Sequence, residues 1–259
     1  MFELQQTTLL RGQQRVLGPL DLTIHRGELL AVIGANGAGK SSLLSLLCGL
    51  IPASEGEIRF AGRRLDNCSA NIERLARQRA LMPQFHALGF DFRVRDVVAL
   101  GRNPHHRHCA QRDHTYYIDK AMSLADVDSL ADANYTRLSG GQQARVQFAR
   151  VLAQLNCGDG KNRFLLLDEP TASLDLRHQL ALMSCARALT ERGLGCVAVL
   201  HDINLAARFA HRIAILDSGR LLAIGSPESV LTEPLLKRAF GVEVKVFDDV
   251  IPDRRLVTV

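Results

Sequence analysis

Residues Gly34-Ala35-Asn36-Gly37-Ala38-Gly39-Lys40-Ser41 form the pattern G-x-x-x-x-G-K-S. The apolar run 29–33 precedes this pattern, and leucines at helical spacing follow it as far as Gly49. A strand, a glycine-rich loop and a helix in this order predict backbone N–H groups that converge on phosphate oxygens. We therefore predict a nucleoside triphosphate site, with Lys40 at the β- and γ-phosphates and the Ser41 hydroxyl on Mg²⁺. The predicted contacts of this loop are Gly34, Ala35, Asn36, Gly37, Ala38, Gly39, Lys40, Ser41 and Ser42.

A second apolar run, residues 164–167, ends in the two carboxylates Asp168 and Glu169. This pattern is typical of a buried parallel strand that delivers charge at its C-terminal edge. We predict that Asp168 holds Mg²⁺ through water and that Glu169 polarises the water that attacks the γ-phosphate. A solvated Asp-Glu-Pro turn is the alternative for this run taken alone, and the upstream phosphate loop favours hydrolysis.

Leu138-Ser139-Gly140-Gly141-Gln142 opens a segment of helical apolar spacing that extends to residue 155. Small residues at a helix N-terminus form a second anion site. With these residues the chain resembles the ATP-binding-cassette (ABC) ATPases, whose signature is L-S-G-G-Q. The resemblance implies that two copies face head to tail, and that each ATP lies between the phosphate loop of one copy and the signature of the other. It implies nucleotide contacts for Ser139, Gly140, Gly141 and Gln142.

Three further positions match motifs of this family. Gln84 resembles the glutamine that contacts Mg²⁺ and the attacking water. Asp175, in Ser173-Leu174-Asp175, resembles the loop by which the two cassettes sense each other, and His201 resembles the switch histidine at the γ-phosphate. The resemblance therefore implies catalytic roles for Glu169, His201 and Gln84, a nucleotide contact for Asp175, and Mg²⁺ ligation by Ser41, Gln84 and Asp168.

The first hairpin departs from the family pattern. Family members usually carry an aromatic residue here that stacks on adenine, whereas this chain has Arg11 before Gly12 and no aromatic side chain nearby. The guanidinium of Arg11 could stack on the base instead. The adenine contact is thus left open.

The predicted fold class is α/β, a P-loop NTPase (ABC ATPase) core with an antiparallel β-subdomain and an inserted α-helical subdomain. We expect one ABC ATPase domain over residues 1–259, with the core and β-subdomain at 1–84 and 142–259 and the helical subdomain at about 85–141. Apolar spacing predicts helices over residues 94–100 and 117–127, and hairpins that turn at residues 61–62 and 217–219. Pro227 at a first helical position and Gly241 as a stop predict a helix between Ser226 and Gly241. Period-two alternation predicts a short strand that begins at Val242 and returns to the core through residues 248–255.

Composition limits the other function classes. The 259 residues are 47% hydrophobic, and no apolar run approaches the roughly 18–20 residues that a membrane helix needs. The N-terminus lacks the pattern of a secretory signal, and the six cysteines form no C-x-x-C pair, which indicates reduced thiols. The net charge of +5 is dispersed and only 5% of residues are aromatic, so we expect no nucleic-acid partner.

Residues 103–109, with His114 beyond them, form a histidine-rich tract. Imidazoles and a thiol in one tract could bind a transition metal or haem iron. Because no regular ligand spacing appears, a solvated loop is the favoured interpretation.

A cassette without membrane helices must drive another component. DNA-acting relatives contain very long heptad segments and ribosome-acting relatives carry two cassettes, and this sequence has neither feature. The segment 90–105 resembles ATPases of the importers for iron chelates, haem and vitamin B12, and the segment 149–170 is most similar to haem (hemin) importer ATPases. The resemblance implies ATP-driven haem uptake, with ferric siderophore or cobalamin as alternatives and a nucleic acid or the ribosome as a less favoured target.

The same resemblance implies the partners and the location. They are a second copy of the chain, two transmembrane permease subunits and, indirectly, a periplasmic or extracellular substrate-binding protein. The chain is expected on the cytoplasmic face of the inner (cell) membrane as a peripheral subunit, with ATP and Mg²⁺ as cofactors.

Overall fold

The computed structural model describes residues 1–65, 69–84, 91–107, 109–155, 162–251 and 254–258. These residues form two compact units, one from Met1–Asn67 with Arg187–Val259 and the other from Cys68–Ala186. Both units combine strands with helices, which agrees with the predicted α/β class. None of the helices in the described ranges is long and apolar enough to cross a membrane.

The first unit contains an antiparallel sheet of four strands in the order β2-β1-β4-β5. Their bounds are β1 Phe2–Arg11, β2 Gln14–Ile24, β4 Glu55–Phe60 and β5 Arg63–Arg64. The β4–β5 hairpin confirms the predicted turn at Ala61-Gly62. Phe2 pairs with Phe60 across β1 and β4, and their ring centroids are 4.6 Å apart, so apolar residues at period two line the buried face.

A mainly parallel set of strands in the first unit has the order β10-β9-β3-β8. The strands are β3 Leu29–Ile33, β8 Gly195–Val199, β9 Arg212–Asp217 and β10 Arg220–Gly225. Every residue of β3 and β8 is buried, as expected of strands covered on both faces. β9 and β10 form the predicted antiparallel hairpin. Helices α1 (Lys40–Cys48) and α7 (Ile203–Phe209) belong to the same unit.

The C-terminal part of the first unit differs from the prediction in two places. The single helix expected between Ser226 and Gly241 is two helices, α8 (Pro227–Val230) and α9 (Glu233–Phe240), because Pro234 cannot continue a helix and instead starts the second one. The predicted strand begins at Lys245, three residues later than expected: β11 (Lys245–Ile251) pairs with β12 (Arg254–Thr258). The Asn204 side chain of α7 holds β12 through both polar groups of Val257, at 2.8 and 3.1 Å.

The second unit pairs two parallel strands with helices. The strands are β6 (Arg79–Met82) and β7 (Phe164–Asp168), and the helices are α2 (Ser69–Gln78), α3 (Val94–Leu100), α4 (Gln111–Leu124), α5 (Gly140–Leu155) and α6 (Leu176–Glu191), which begins here. The predicted helix 94–100 is confirmed with the same bounds, and the helix expected at 117–127 starts earlier and ends at Leu124.

A buried polar chain ties α5 to its surroundings in the second unit. Gln147 donates to the Tyr135 hydroxyl at 2.9 Å and accepts from Arg150 Nε at 2.7 Å. Arg150 also donates to the Leu81 carbonyl of β6 at 3.3 Å. Burial raises the pKa of Tyr135 and lowers that of Arg150. Each of these side chains has a hydrogen-bond partner within the network, so the network orients α5 against β6, the strand that leads to Gln84.

The histidine-rich tract is only in part the solvated loop that its composition predicts, because Asn103, His106 and Arg107 are exposed while other members are buried. His105 and His114 are 3% and 6% exposed, and Arg102 is 3% exposed. Arg102 donates to the Ala153 carbonyl at 2.6 Å and to His114 Nδ1 at 3.3 Å, and it lies over the Tyr117 ring. Within the described residues, which leave out His108, no three His, Cys, Asp or Glu side chains are placed to hold a metal. The buried members of the tract, His105 and His114, pack between helices together with Arg102.

The four cysteines within the described residues are free thiols: Cys48, Cys109, Cys185 and Cys196. Residues 156–161, which belong to the segment 149–170 that resembles haem importer ATPases, and residues 85–90 lie outside the described residues.

Candidate functional site

The phosphate loop connects β3 to α1 through a sharp backbone turn. Gly34 has φ +151, and a Cβ there would lie 2.1 Å from the Leu216 carbonyl oxygen. Gly37 has φ +79 with open space around its missing Cβ, so only backbone faces solvent at that point. Ala35 and Asn36 are exposed beside it, whereas Ala38 and Gly39 are buried. Residues 35–37 are thus exposed between buried residues at the end of β3 and the start of α1, a position from which backbone N–H groups can bind phosphate oxygens.

Lys40 begins α1 and points back into the loop. Its side chain is 6% exposed, and Nζ donates to the carbonyls of Gly34 at 2.8 Å and Ala35 at 2.9 Å. Gly39 precedes it as the helix N-cap without a capping side chain. The positive charge and a helix N-terminus without a side-chain cap therefore lie at one place, where an anion would be stabilised. Ser41 and Ser42 follow in the first turn of α1.

His201 lies in the same unit as the phosphate loop. Parallel pairing aligns Val32 of β3 with Val199 of β8, and Leu200 N donates to the Val32 carbonyl at 3.1 Å. Both strands consequently end at one edge of the sheet, and His201 is exposed just beyond that edge. Asp202 caps α7 by accepting from the N–H groups of Asn204 and Leu205.

The two carboxylates and Gln84 lie in the second unit. β6 and β7 are parallel neighbours with Met82 opposite Leu167, so the residues after both strands meet. Gln84 Nε2 donates to Glu169 Oε2 at 2.6 Å, although the two residues are 85 positions apart in sequence. Asp168 is 9% exposed, and Glu169 has φ +49, an uncommon conformation for a residue with a side chain. The structure thus unites Gln84 with the carboxylate predicted to act as base.

The signature residues form a reciprocal cap on α5. Gln142 N donates to Ser139 Oγ at 3.3 Å, and Ser139 N donates to Gln142 Oε1 at 3.0 Å. This is a capping box, with Ser139 at the N-cap and Gln142 three residues later. Gly141 is constrained too, because a Cβ there would approach the Ser173 carbonyl oxygen to 2.9 Å. The S-x-x-Q spacing of residues 139–142 is the sequence signal for this box.

Asp175 is the residue before α6, and its carboxylate is occupied within its own unit. Oδ1 accepts from His178 N at 2.9 Å, and His178 Nδ1 lies 2.8 Å from both carboxylate oxygens. The hydrogen bond from the His178 backbone and that from its ring hold the pKa of Asp175 below its usual value. No sequence motif pointed to His178, since its partners are known only from the packing.

The residues predicted to hold Mg²⁺ suit that ion chemically. Ser41, Gln84 and Asp168 offer a hydroxyl, an amide oxygen and a carboxylate, and Mg²⁺ prefers oxygen ligands. Because Gln84 uses its amide nitrogen on Glu169, its amide oxygen is the end left to face a cation. Ser41 belongs to the first unit, and Gln84 and Asp168 belong to the second.

Arg11 is exposed where β1 turns into β2, opposite Gln14. Gly12 in that turn has φ +61 with open space around it. The guanidinium is therefore free to adopt a stacked position, and adenine stacking by Arg11 stays a prediction.

Comparisons with known proteins support the sequence resemblance. A family model described as ABC transporter matches residues 17–172. The chain is 44% identical over 244 residues to the hemin import ATP-binding protein HmuV of Myxococcus xanthus (strain DK1622), covering 92% of this chain and 89% of that protein. It is 46% identical over 232 residues to the protein of the same name from Gloeobacter violaceus, covering 89% and 84%.

Among solved structures, a dimeric bacterial ABC transporter cassette superimposes with a TM-score of 0.76 at 26% identity, covering 88% of this chain and 99% of that one. The same cassette in a post-hydrolysis state bound to ADP and Pi gives the same values.

Proposed function

This chain belongs to the ABC transporter family, as an ATP-binding and ATP-hydrolysing cassette, and we propose that it powers the import of haem (hemin) across a membrane. The observation that carries the haem assignment is the name shared by relatives about 44% identical over nearly the whole chain. The cassette itself does not touch the cargo in this proposal, so the cargo is inferred from those relatives and not from the site chemistry.

In the proposed catalytic cycle, the phosphate loop binds ATP first. Lys40 exchanges the carbonyls of Gly34 and Ala35 for phosphate oxygens, a better partner for an ammonium because they carry full negative charge. The N–H groups of residues 35–41 hold the remaining oxygens. His201 approaches the γ-phosphate from the neighbouring strand end.

Glu169 is the proposed general base. The Gln84 amide nitrogen donates to Glu169 Oε2 and orients the carboxylate, which accepts a proton from the attacking water. Lys40 and the loop N–H groups stabilise the charge on the transferring phosphoryl group. Mg²⁺ held by Ser41, Gln84 and Asp168 would supply further neutralisation of the phosphate oxygens.

The signature residues are proposed to bind the nucleotide of a second copy. Ser139, Gly140, Gly141 and Gln142 form a helix N-terminus whose hydrogen bonds are arranged by the capping box, so its potential is available to an external phosphate. Two copies facing head to tail would close around two ATP molecules, because each ATP adds contacts that exist only in the closed pair. Asp175 lies in the loop proposed to meet the other copy.

The dimer is proposed to dock beneath two transmembrane permease subunits on the cytoplasmic face of the cell membrane, with a periplasmic or extracellular substrate-binding protein as an indirect partner. The helical subdomain at about 85–141 would transmit closure through the surface from Gln84 to Val98. Residues 85–90 of that surface lie outside the described residues. No nucleic acid takes part.

The decisive experiment measures uptake. The chain is purified with its permease from the native host, placed in proteoliposomes, and tested for ATP-dependent accumulation of haem, a ferric siderophore and cobalamin in parallel. Haem accumulation alone would support the proposal. Accumulation of siderophore or cobalamin without haem would show that the transported compound is not haem. Purification with ribosomes or DNA but without a permease would overturn the transport role.

Glu169→Gln tests the base within the same preparation. The glutamine keeps an oxygen that accepts from Gln84, but it cannot take a proton, so turnover should fall about a hundredfold or more while ATP still binds and traps the closed dimer. Size-exclusion chromatography with ATP measures the dimer, and Glu191→Gln, an exposed glutamate on α6, is the matched control. Rapid hydrolysis by Glu169→Gln would refute the assignment.

A further inference from the structure

His178 joins two carboxylates that lie 49 positions apart in the sequence. Its Nδ1 lies 2.8 Å from the Asp175 carboxylate, and its Nε2 lies 3.7 Å from Asp126 Oδ2. Asp126 in turn accepts from Arg145 Nη1 at 3.1 Å on that same oxygen. The side chain of His178 is 21% exposed, whereas that of Asp126 is 75% exposed. The ring therefore connects Asp175 to Arg145 of α5 through one intervening carboxylate.

A second contact joins the same two elements. Ser173 Oγ donates to the Gly140 carbonyl at 3.4 Å, and Gly141 leaves no room for a side chain against the Ser173 carbonyl. The segment 173–175 thus contacts the first turn of α5 directly. It is also linked to Arg145, more than one turn later, because Asp175 contacts His178, His178 lies beside Asp126, and Asp126 accepts from Arg145. The loop therefore contacts α5 at two separate points, so a movement of the loop acts on more than the first turn of the helix.

We propose that His178 is a positioning residue that couples the loop 173–175 to the signature helix α5. Movement of the loop against a second copy then turns α5 and its capped N-terminus together with it. The role rests on the proposed function, in which this loop meets the other cassette. His178 acts through Asp175 and Asp126 and does not touch the nucleotide.

We call the series of contacts from Asp175 through His178 and Asp126 to Arg145 the bridge. Two substitutions test the contact of His178 with Asp126 while they keep the contacts at the two ends of the bridge. In His178→Asn the amide nitrogen replaces Nδ1 and keeps the bond to Asp175, but the side chain is too short to reach Asp126. In Asp126→Asn the carbonyl oxygen still accepts from Arg145, and the charge that faces His178 is removed. Asparagine also suits position 126, where φ is +54, so this variant should fold.

The assay is steady-state ATP hydrolysis by the full chain with its permease, over a range of ATP concentrations. Because the bridge is partly exposed, we expect kcat to fall only about fivefold in His178→Asn and in Asp126→Asn, with KM for ATP changed by less than about twofold. The double variant should be no slower than either single variant, since both remove the same connection. Arg177→Gln, an exposed neighbour on α6, is the control and should match the wild type.

Wild-type kcat in His178→Asn would overturn the proposal, because it would mean that the bond to Asp175 alone matters. Multiplicative losses in the double variant would also overturn it, since the two residues would then act independently. Failure of the haem assignment has a different signature: proteoliposomes would not accumulate haem, while ATP turnover by the variants would still test the bridge.

Discussion

Lowering the pH should destabilise the protein through His105, which lies between helices of the second unit. Burial lowers the pKa of His105 from 6.5 to about 4, and the nearby charges of Arg102 and Arg77 act in the same direction. The neutral ring fits the site, because its Nε2 lies 2.7 Å from the Gln154 carbonyl and can donate to it. The folded state therefore resists a proton that the unfolded chain accepts.

The sign and size of the effect follow from that difference. Above pH 6.5 the ring is neutral in both states and contributes nothing. Between pH 6.5 and 4 the unfolded state gains the proton first, so the free energy of unfolding falls by about 1.4 kcal/mol per pH unit, or about 2 kcal/mol at pH 5. For a chain of this size that loss lowers Tm by about 4–8 °C.

The assay compares thermal unfolding of wild type and His105→Gln at pH 7 and pH 5. Glutamine can donate to Gln154 but does not titrate, so its Tm should fall less than that of the wild type by about 4–8 °C. Other groups titrate in both proteins and cancel in the comparison. His25→Gln, which removes an exposed histidine, should follow the wild type. Equal falls in Tm for wild type and His105→Gln would refute the reasoning.

Two further substitutions test the site and its support. Lys40→Ala should raise the Kd for ATP by about tenfold or more, because it removes a charged donor to phosphate. Calorimetric titration measures the Kd, and Lys120→Ala, at an exposed position, is the control. A Kd for Lys40→Ala equal to that of the control would count against the role of Lys40. Tyr135→Phe should lower stability by roughly 2 kcal/mol and Tm by about 4–8 °C, because the buried Gln147 amide loses its acceptor. Tyr116→Phe, at an exposed position, should leave Tm unchanged, and equal Tm values for the two variants would contradict the buried network.

The histidine-rich tract shows where composition misleads. Its residues are polar and irregularly spaced, which predicts a loop in water. Arg102 instead reaches the Ala153 carbonyl on α5, and the ring of Tyr117 lies under its guanidinium, so this charged side chain is buried with partners inside the protein. The partners lie as far as 51 positions away, and no local pattern identifies them.

The two C-terminal helices illustrate a smaller error with a local cause. The start at Pro227 and the stop at Gly241 were correct, since each depends on the backbone preference of one residue. Pro234 also predicts the break between the two helices, because proline fits the first turn of a helix and not its interior.

The local chemistry of this protein follows from short stretches of its sequence: the glycine loop after β3, the carboxylates at the end of β7, and the small residues at the start of α5. These features depend on φ preferences, short spacings and apolar periodicity, which act over a few residues. The contact of Gln84 with Glu169, the position of His178 beside Asp126 and the burial of His105 come from the packing of the whole chain. Those relations join distant parts of the chain, and they exist only because packing brings particular side chains within hydrogen-bonding distance and away from water.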